Sequence, residues 1–242
     1  MNKHLKCVNA NVKIMIYKTQ YGTVDFWTPH NLERFSKIGI NLSGGCDSSL
    51  LLFFTLRELK PHQTIIPITG VHNARPANIW HVEEIILLMK EWFPDKNIGE
   101  HAIDHYDKDF EKDKINKHKA HEQKLWDSEI IEVLFHGRTA NPPEEEAVAH
   151  NLSFKRESQR DGTDKFVYHN VTKPFYVPFN NVDKRFIAEN YTKFNLMKEL
   201  FPITASCVGY AKATDNFSKP CEECWWCREK KWAFGMYDGC IK

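Results

Sequence analysis

Apolar and polar positions alternate along the chain in two distinct periods. Asn11 to Tyr17 (NVKIMIY) and Tyr21 to Trp27 (YGTVDFW) follow the two-residue period of half-buried strands and predict a hairpin. Asn31 to Lys37 reads as a short helix or loop. Lys37–Leu42 predicts the first core strand, followed by a helix from Ser48 to about Leu59 with Pro61 beyond it. Thr64–Val71 predicts a second strand. The helix after it, Ile79 to about Phe93, sets Val82, Ile85, Ile86, Met89 and Phe93 on one face. Ile98–His105 is a third strand. Asp107 to Asp127 alternates in charge sign, carries few apolar residues and predicts a solvated helix. Ile130–Phe135 is apolar almost throughout, as a strand buried on both faces would be. Leu152 to His169 predicts a hairpin turning at Arg160-Asp161-Gly162-Thr163 and projecting as a flap. Asp183 is placed to cap a helix to about Phe194, and Asn195–Phe201 forms another short one.

Strands alternating with helices in this way favour an α/β fold: an open, mainly parallel sheet with helices on both faces. Lys and Arg total 33 against 32 Asp and Glu, so no global basic field points to nucleic acid. No apolar stretch reaches the length of a membrane span, and Met1 to Lys6 lacks a signal-peptide core. A cytoplasmic location is expected. There, the seven cysteines are thiols or metal ligands rather than a disulfide framework. The histidines His105, His118, His121 and His136 show no metal-ligand spacing and read as solvated.

Between the first strand and its helix lies Ser43-Gly44-Gly45-Cys46-Asp47-Ser48. Two adjacent glycines let the backbone turn tightly and point several N–H groups into one concavity. The helix that follows adds unpaired N-terminal donors and the positive end of its dipole, the setting in which α/β proteins bind phosphate. Asp47 suits a Mg²⁺ ion on a polyphosphate, and Ser48 can donate to a phosphate oxygen. No Lys follows the second glycine, so this is not a Walker A loop. The ligand edge of such a sheet also receives the loop His136 to Pro143, at the C-terminal end of the fourth strand.

Cys221, Cys224 and Cys227 are joined by two successive CxxC steps, and Cys207 lies upstream of the first with thirteen residues between. Four sulfurs so placed suit a closed tetrahedral zinc site that would lock the C-terminal tail. A ferredoxin-like iron–sulfur run would require another cysteine near position 231, which is Lys231. Cys7, Cys46 and Cys240 are left over, and Cys46 occupies a variable position in the glycine loop.

SGGCDS resembles the SGGxDS signature of the PP-loop ATP pyrophosphatases, the adenine-nucleotide α-hydrolase-like superfamily. Its members cleave ATP between the α and β phosphates, adenylate a substrate oxygen and release pyrophosphate. The set SGGCDSS at 43–49, GRTAN at 137–141, KPFYVPFNNVDKRFI at 173–187, TASC at 204–207 and CEECWWC at 221–227 is similar to the 7-cyano-7-deazaguanine synthase family. That resemblance implies ATP-dependent conversion of a purine-like carboxylate, with ammonia, to a nitrile. It implies nucleotide binding by Ser43, Gly44, Gly45, Cys46, Asp47, Ser48 and Asn141, and charge neutralisation by Arg138 and Lys184. It also implies Zn²⁺ at the four cysteines. The expected division is a hairpin extension at 1–36, a PP-loop domain at 37–206 and a zinc subdomain at 207–242. Two rivals remain: a tRNA or nucleotide thiolase whose cysteines carry sulfur, and a non-catalytic zinc protein. The latter would contact nucleic acid through Arg156, Arg160, Lys165, Trp225 and Trp226. A homodimer is compatible with all three.

Overall fold

The computed structural model describes residues 16–25, 32–107, 111–152, 166–170 and 173–238. Ile16–Thr19 (β1) and Gly22–Asp25 (β2) pair antiparallel around Gln20 and Tyr21. This hairpin stands apart from the main sheet. Tyr17 stacks on Phe54 with ring centroids 3.6 Å apart, and the Tyr176 hydroxyl donates to the Asp25 carbonyl at 3.1 Å. The outer ends of the predicted hairpin, residues 11–15 and 26–27, lie outside the described residues.

The main sheet grows outward from Lys37–Asn41 (β3). The chain leaves β3 for Cys46–Glu58 (α1), returns as Thr64–His72 (β4), and crosses again through Ala77–Trp92 (α2). Asn97–Ile98 (β5) and Ala102–Tyr106 (β6) then pair with successive parts of β4. The single third strand predicted is thus two pieces. They are separated at Gly99, where an added Cβ would lie 2.7 Å from Ile66 Cδ1. After Glu111–Asp127 (α3) the chain crosses to the other side of β3. Val133–His136 (β7) pairs with β3 there, and Lys173–Tyr176 (β9) pairs with β7. Every one of these pairings is parallel.

Phe166–Asn170 (β8) pairs antiparallel with β9 and forms the last strand of the sheet. The predicted flap is therefore corrected in its described part: β8 extends the main sheet. Residues 153–165, with Arg156, Arg160 and Lys165, lie outside the described residues. The pattern did not announce β9, because Pro174 removes an N–H donor; an early position in a short strand tolerates that loss. Glu144–Ala149 (α4), Lys184–Lys193 (α5) and Trp225–Phe234 (α6) complete the regular elements. Asp183 caps α5 as expected, accepting from the Arg185 amide at 2.8 Å. The short helix expected at Asn195–Phe201 is instead a run of turns leading into a 3₁₀ turn at Phe201–Ile203.

Alternate strand residues face two separate cores. Ile38, Ile40, Val133, Phe135 and Tyr176 join apolar residues of α1, α2 and α5. Leu134, Phe175, Ile68 and Val177 join Leu125 of α3 on the opposite face. Helices therefore cover both faces of a mainly parallel sheet. The solvated reading of α3 needs correction for its last turns, where Glu122 and Leu125 are buried. Among the described residues, no helix is long and apolar enough to cross a membrane.

Candidate functional site

Because β4 and β6 lie on one side of β3 while β7 and β9 lie on the other, the chain reverses direction across the sheet between β3 and β7. Loops leaving the C-terminal ends of those strands diverge there and open a crevice, the usual ligand position in open α/β sheets. A cleft of about 390 Å³ occupies this point. Its walls include Asn41 to Ser43, Gly45, Asp47 and Ser48 from the first loop, and His136 to Arg138 from the second.

The first loop is held by its own serines. Ser48 Oγ accepts from the Ser43 amide at 3.2 Å and donates to the Gly45 carbonyl at 3.1 Å. Gly44 has φ +83, a conformation that side chains resist, and a Cβ there would meet His81 Cβ at 3.2 Å. Gly45 is the N-cap of α1, so the helix starts at Cys46, two residues before the predicted start, and no side chain caps it. Its first-turn N–H groups are left for a ligand, which favours an anion. Cys46 itself is buried; its thiol is pushed up to about 11 by burial, so only its backbone can serve a ligand in the cleft.

Lys184, the first residue of α5, reaches the same place from 137 positions away. Its Nζ donates to Asp47 Oδ2 at 2.5 Å and lies 3.4 Å from Glu229 Oε2 of α6. The side chains of Lys184 and Glu229 are 3% and 1% exposed, whereas Asp47 is 22% exposed and faces the cleft. Burial acts to lower the Lys184 pKa, but the Asp47 carboxylate, with Cys46 and Glu229, raises it overall. Lys184 is therefore held as a cation between the two carboxyl groups.

Arg138 lines the cleft, while Asn141 is not among the residues that do. Sequence reasoning missed the opposite wall: Arg75, Asn78 and His81, from the end of β4 and the start of α2, and Ser206. Arg75 Nε, Asn78 Oδ1 and Ser206 Oγ are buried with no hydrogen-bond partner among the described residues. Buried polar atoms normally have partners, so these three fit a polar ligand. His81 Nδ1 lies 2.9 Å from the Ile203 carbonyl, which can only accept; Nδ1 thus carries the proton and Nε2 is an acceptor. Burial lowers the His81 pKa and keeps the ring neutral. No spacing signal marked Arg75, Asn78 and His81, whose position after a strand at the ligand edge was the available clue; Ser206 lies in the TASC stretch at 204–207.

The four cysteines converge. The sulfurs of Cys207, Cys221, Cys224 and Cys227 lie within 4.8 Å of one another. Zn–S bonds of about 2.3 Å place tetrahedral sulfurs roughly 3.8 Å apart, so the set fits a single ion. A cubane cluster would spread its thiolates further, since each binds a different iron. Backbone amides of Gly209 and Cys221 point at Cys207 Sγ from 3.3 and 3.2 Å. Hydrogen bonding from Cys207 pushes the Cys224 thiol down, while the same crowding pushes Cys207 and Cys227 up. Cys207 also borders the cleft.

One buried ion pair and a set of backbone hydrogen bonds tie this centre to the rest. Lys230 Nζ donates to Asp238 Oδ1 at 2.5 Å and to Thr204 Oγ1 at 3.0 Å. Asp238 Oδ2 in turn accepts from the Ser206 and Cys207 amides at 2.7 and 2.8 Å. The Ala205 amide donates to the Gly44 carbonyl at 2.8 Å, joining the cysteine segment to the glycine loop. Trp225 is buried and donates to the Leu152 carbonyl at 3.1 Å, whereas Trp226 is exposed at the cleft rim.

No family model matches the chain, and no curated protein matches it. Among solved structures it is similar to the U34-tRNA thiolase NcsA from Methanococcus maripaludis with its 4Fe-4S cluster. The alignment covers 82% of this chain and 70% of that chain, at 13% sequence identity and a TM-score of 0.45.

Proposed function

We propose that the protein is an ATP-dependent ligase of the PP-loop kind, which adenylates a carboxylate and releases AMP and pyrophosphate. The supporting observation is the Gly44–Gly45 bend at the reversal point of the sheet. The open N-terminus of α1 and the Lys184–Asp47 pair border the same cleft. In this reading the substrate is 7-carboxy-7-deazaguanine, the nitrogen donor is ammonia and the product is the 7-cyano compound.

The chemistry explains the use of ATP. A carboxylate oxygen is a poor leaving group toward an amine. Attack of that oxygen on the α-phosphorus expels pyrophosphate and makes AMP the leaving group. Ammonia displaces AMP to give the amide; a second ATP activates the amide oxygen, and loss of AMP and a proton leaves the nitrile. The loop amides and the N-terminus of α1 hold the departing pyrophosphate. Lys184 and Arg138 neutralise charge on the α-phosphate or on the substrate carboxylate. Asp47 would hold Mg²⁺, which supplies further charge neutralisation at the phosphates. The four cysteines would hold Zn²⁺ as a structural ion that fixes residues 207–227. The setting proposed is the cytoplasm.

Purified protein incubated with ATP, Mg²⁺, ammonium and a panel of deazapurine acids should release pyrophosphate and yield a nitrile mass for one acid. No pyrophosphate with any acid would remove the adenylation reading. A second reading, sulfur transfer, is favoured by Cys207 bordering the cleft. It requires a persulfide on a cysteine, and intact-mass analysis showing one would select it.

A further inference from the structure

We propose that Glu229 is a positioning residue for Lys184, sharing its ammonium with Asp47 so that Asp47 stays open to a divalent cation while Lys184 keeps its aim at the cleft. The inference rests on the adenylation reading. It concerns a residue outside every motif in the sequence.

The two carboxylates have unequal surroundings. Glu229 is the buried one and lies on α6, whose first turns are fixed by Cys224 and Cys227 and by Trp225 against Leu152. Asp47 is the accessible one, in the first turn of α1. With Asp47 alone, Lys184 would form an undivided ion pair, and a cation arriving at Asp47 would have to displace the ammonium entirely. With Glu229 on its other side, Lys184 keeps a fixed partner as Asp47 turns toward the cation. Its charge then stays at the cleft floor, where both Lys184 and Glu229 are lining residues.

The test uses the full-length protein as wild type, Glu229→Gln and Glu229→Asp. Binding of a non-hydrolysable ATP analogue is followed by calorimetry against rising Mg²⁺, beside pyrophosphate release and thermal melting. In Glu229→Gln the half-saturating Mg²⁺ concentration is expected to rise about tenfold, the size of a one-unit change in charge interaction. Turnover is expected to fall about thirtyfold with the KM for ATP within about twofold, the signature of an interaction used in the transition state. Glu229→Asp, one methylene shorter, should sit about threefold below wild type in turnover at unchanged KM and melting temperature. If Glu229→Gln does not fold, the aspartate variant carries the comparison.

Unchanged Mg²⁺ dependence and turnover in these variants, with an active wild type, overturn this inference alone. Parallel losses in KM, turnover and melting temperature, with no recovery in Glu229→Asp, show a merely structural role and overturn it too. A wild type that binds no nucleotide overturns the adenylation reading together with this inference.

Discussion

The loop leaving β7 touches the first turn of α1 backbone to backbone: a Cβ on Gly137 would stand 2.9 Å from the amide nitrogen of Ser48. No side chain fits between them. Gly137→Ala should therefore push the two cleft-forming loops apart. The expected loss is about 1–3 kcal/mol of stability, read by urea denaturation. Pyrophosphate release should fall more steeply than stability does, because the displaced atoms are those that would hold the phosphates.

Asp47→Ala should abolish pyrophosphate release, by about a thousandfold or more, if the carboxylate holds the cation that offsets charge on the leaving group. The fold should survive, since Lys184 retains Glu229 as a partner. Wild-type-like turnover in this variant would refute the assignment of the glycine loop.

Lys230 is fully buried, with Asp238 and Thr204 as its polar partners and the Phe201 ring 4.4 Å from its ammonium. Lys230→Met leaves a buried carboxylate without its cation. The expected cost is about 3–5 kcal/mol, measured by denaturant unfolding. Stability within 1 kcal/mol of wild type, roughly the worth of an exposed pair, would contradict the burial of this pair.

Removing the metal should affect more than the tail. The sulfur of Cys227 and the carboxylate of Glu229 sit on the same helix, and Asp238 ties Cys207 to Lys230. Strong chelation, or Cys224→Ser, should lower the melting temperature and weaken nucleotide binding together. One zinc per chain by elemental analysis is expected beforehand. A metal-free protein with unaltered melting would dismiss the structural ion.

His81 and His101 both have pKa values lowered by burial, from an ordinary 6.5. The unfolded chain therefore binds more protons than the folded one as pH falls through this region. Stability from these residues is complete above about pH 6.5 and declines as the solution is acidified toward their folded values. Melting curves from pH 8 to pH 5 should show the decline, and His81→Gln should flatten it. An identical slope in that variant would mean that other groups control the acid limb.

Much of the fold was legible because burial imposes periodicity. The apolar run of β3, the one-sided face of α2 and the capping Asp183 were visible as pattern, and the structure reproduces them within a few residues. The glycine loop was legible because its chemistry is local. What escaped depends on partners distant in sequence. Glu229 and Lys230 lie in a charged helical stretch, where nothing local distinguishes a buried ion pair from a solvated one. Arg75, Asn78, His81 and Ser206 gain meaning only when the loop after β4 and the segment after Ile203 face the glycines. Strand β9 was hidden by Pro174, although the apolar run Phe175 to Phe179 carried its signal.

The glycine bend is joined by the Ala205 amide and by Lys184, and through that lysine by α6. A ribosome makes the bend well before its supports. Until α6 emerges and folds back, the nascent chain holds a loop of the right composition with no floor beneath it. Competence should therefore arrive only once α6 has joined the loop.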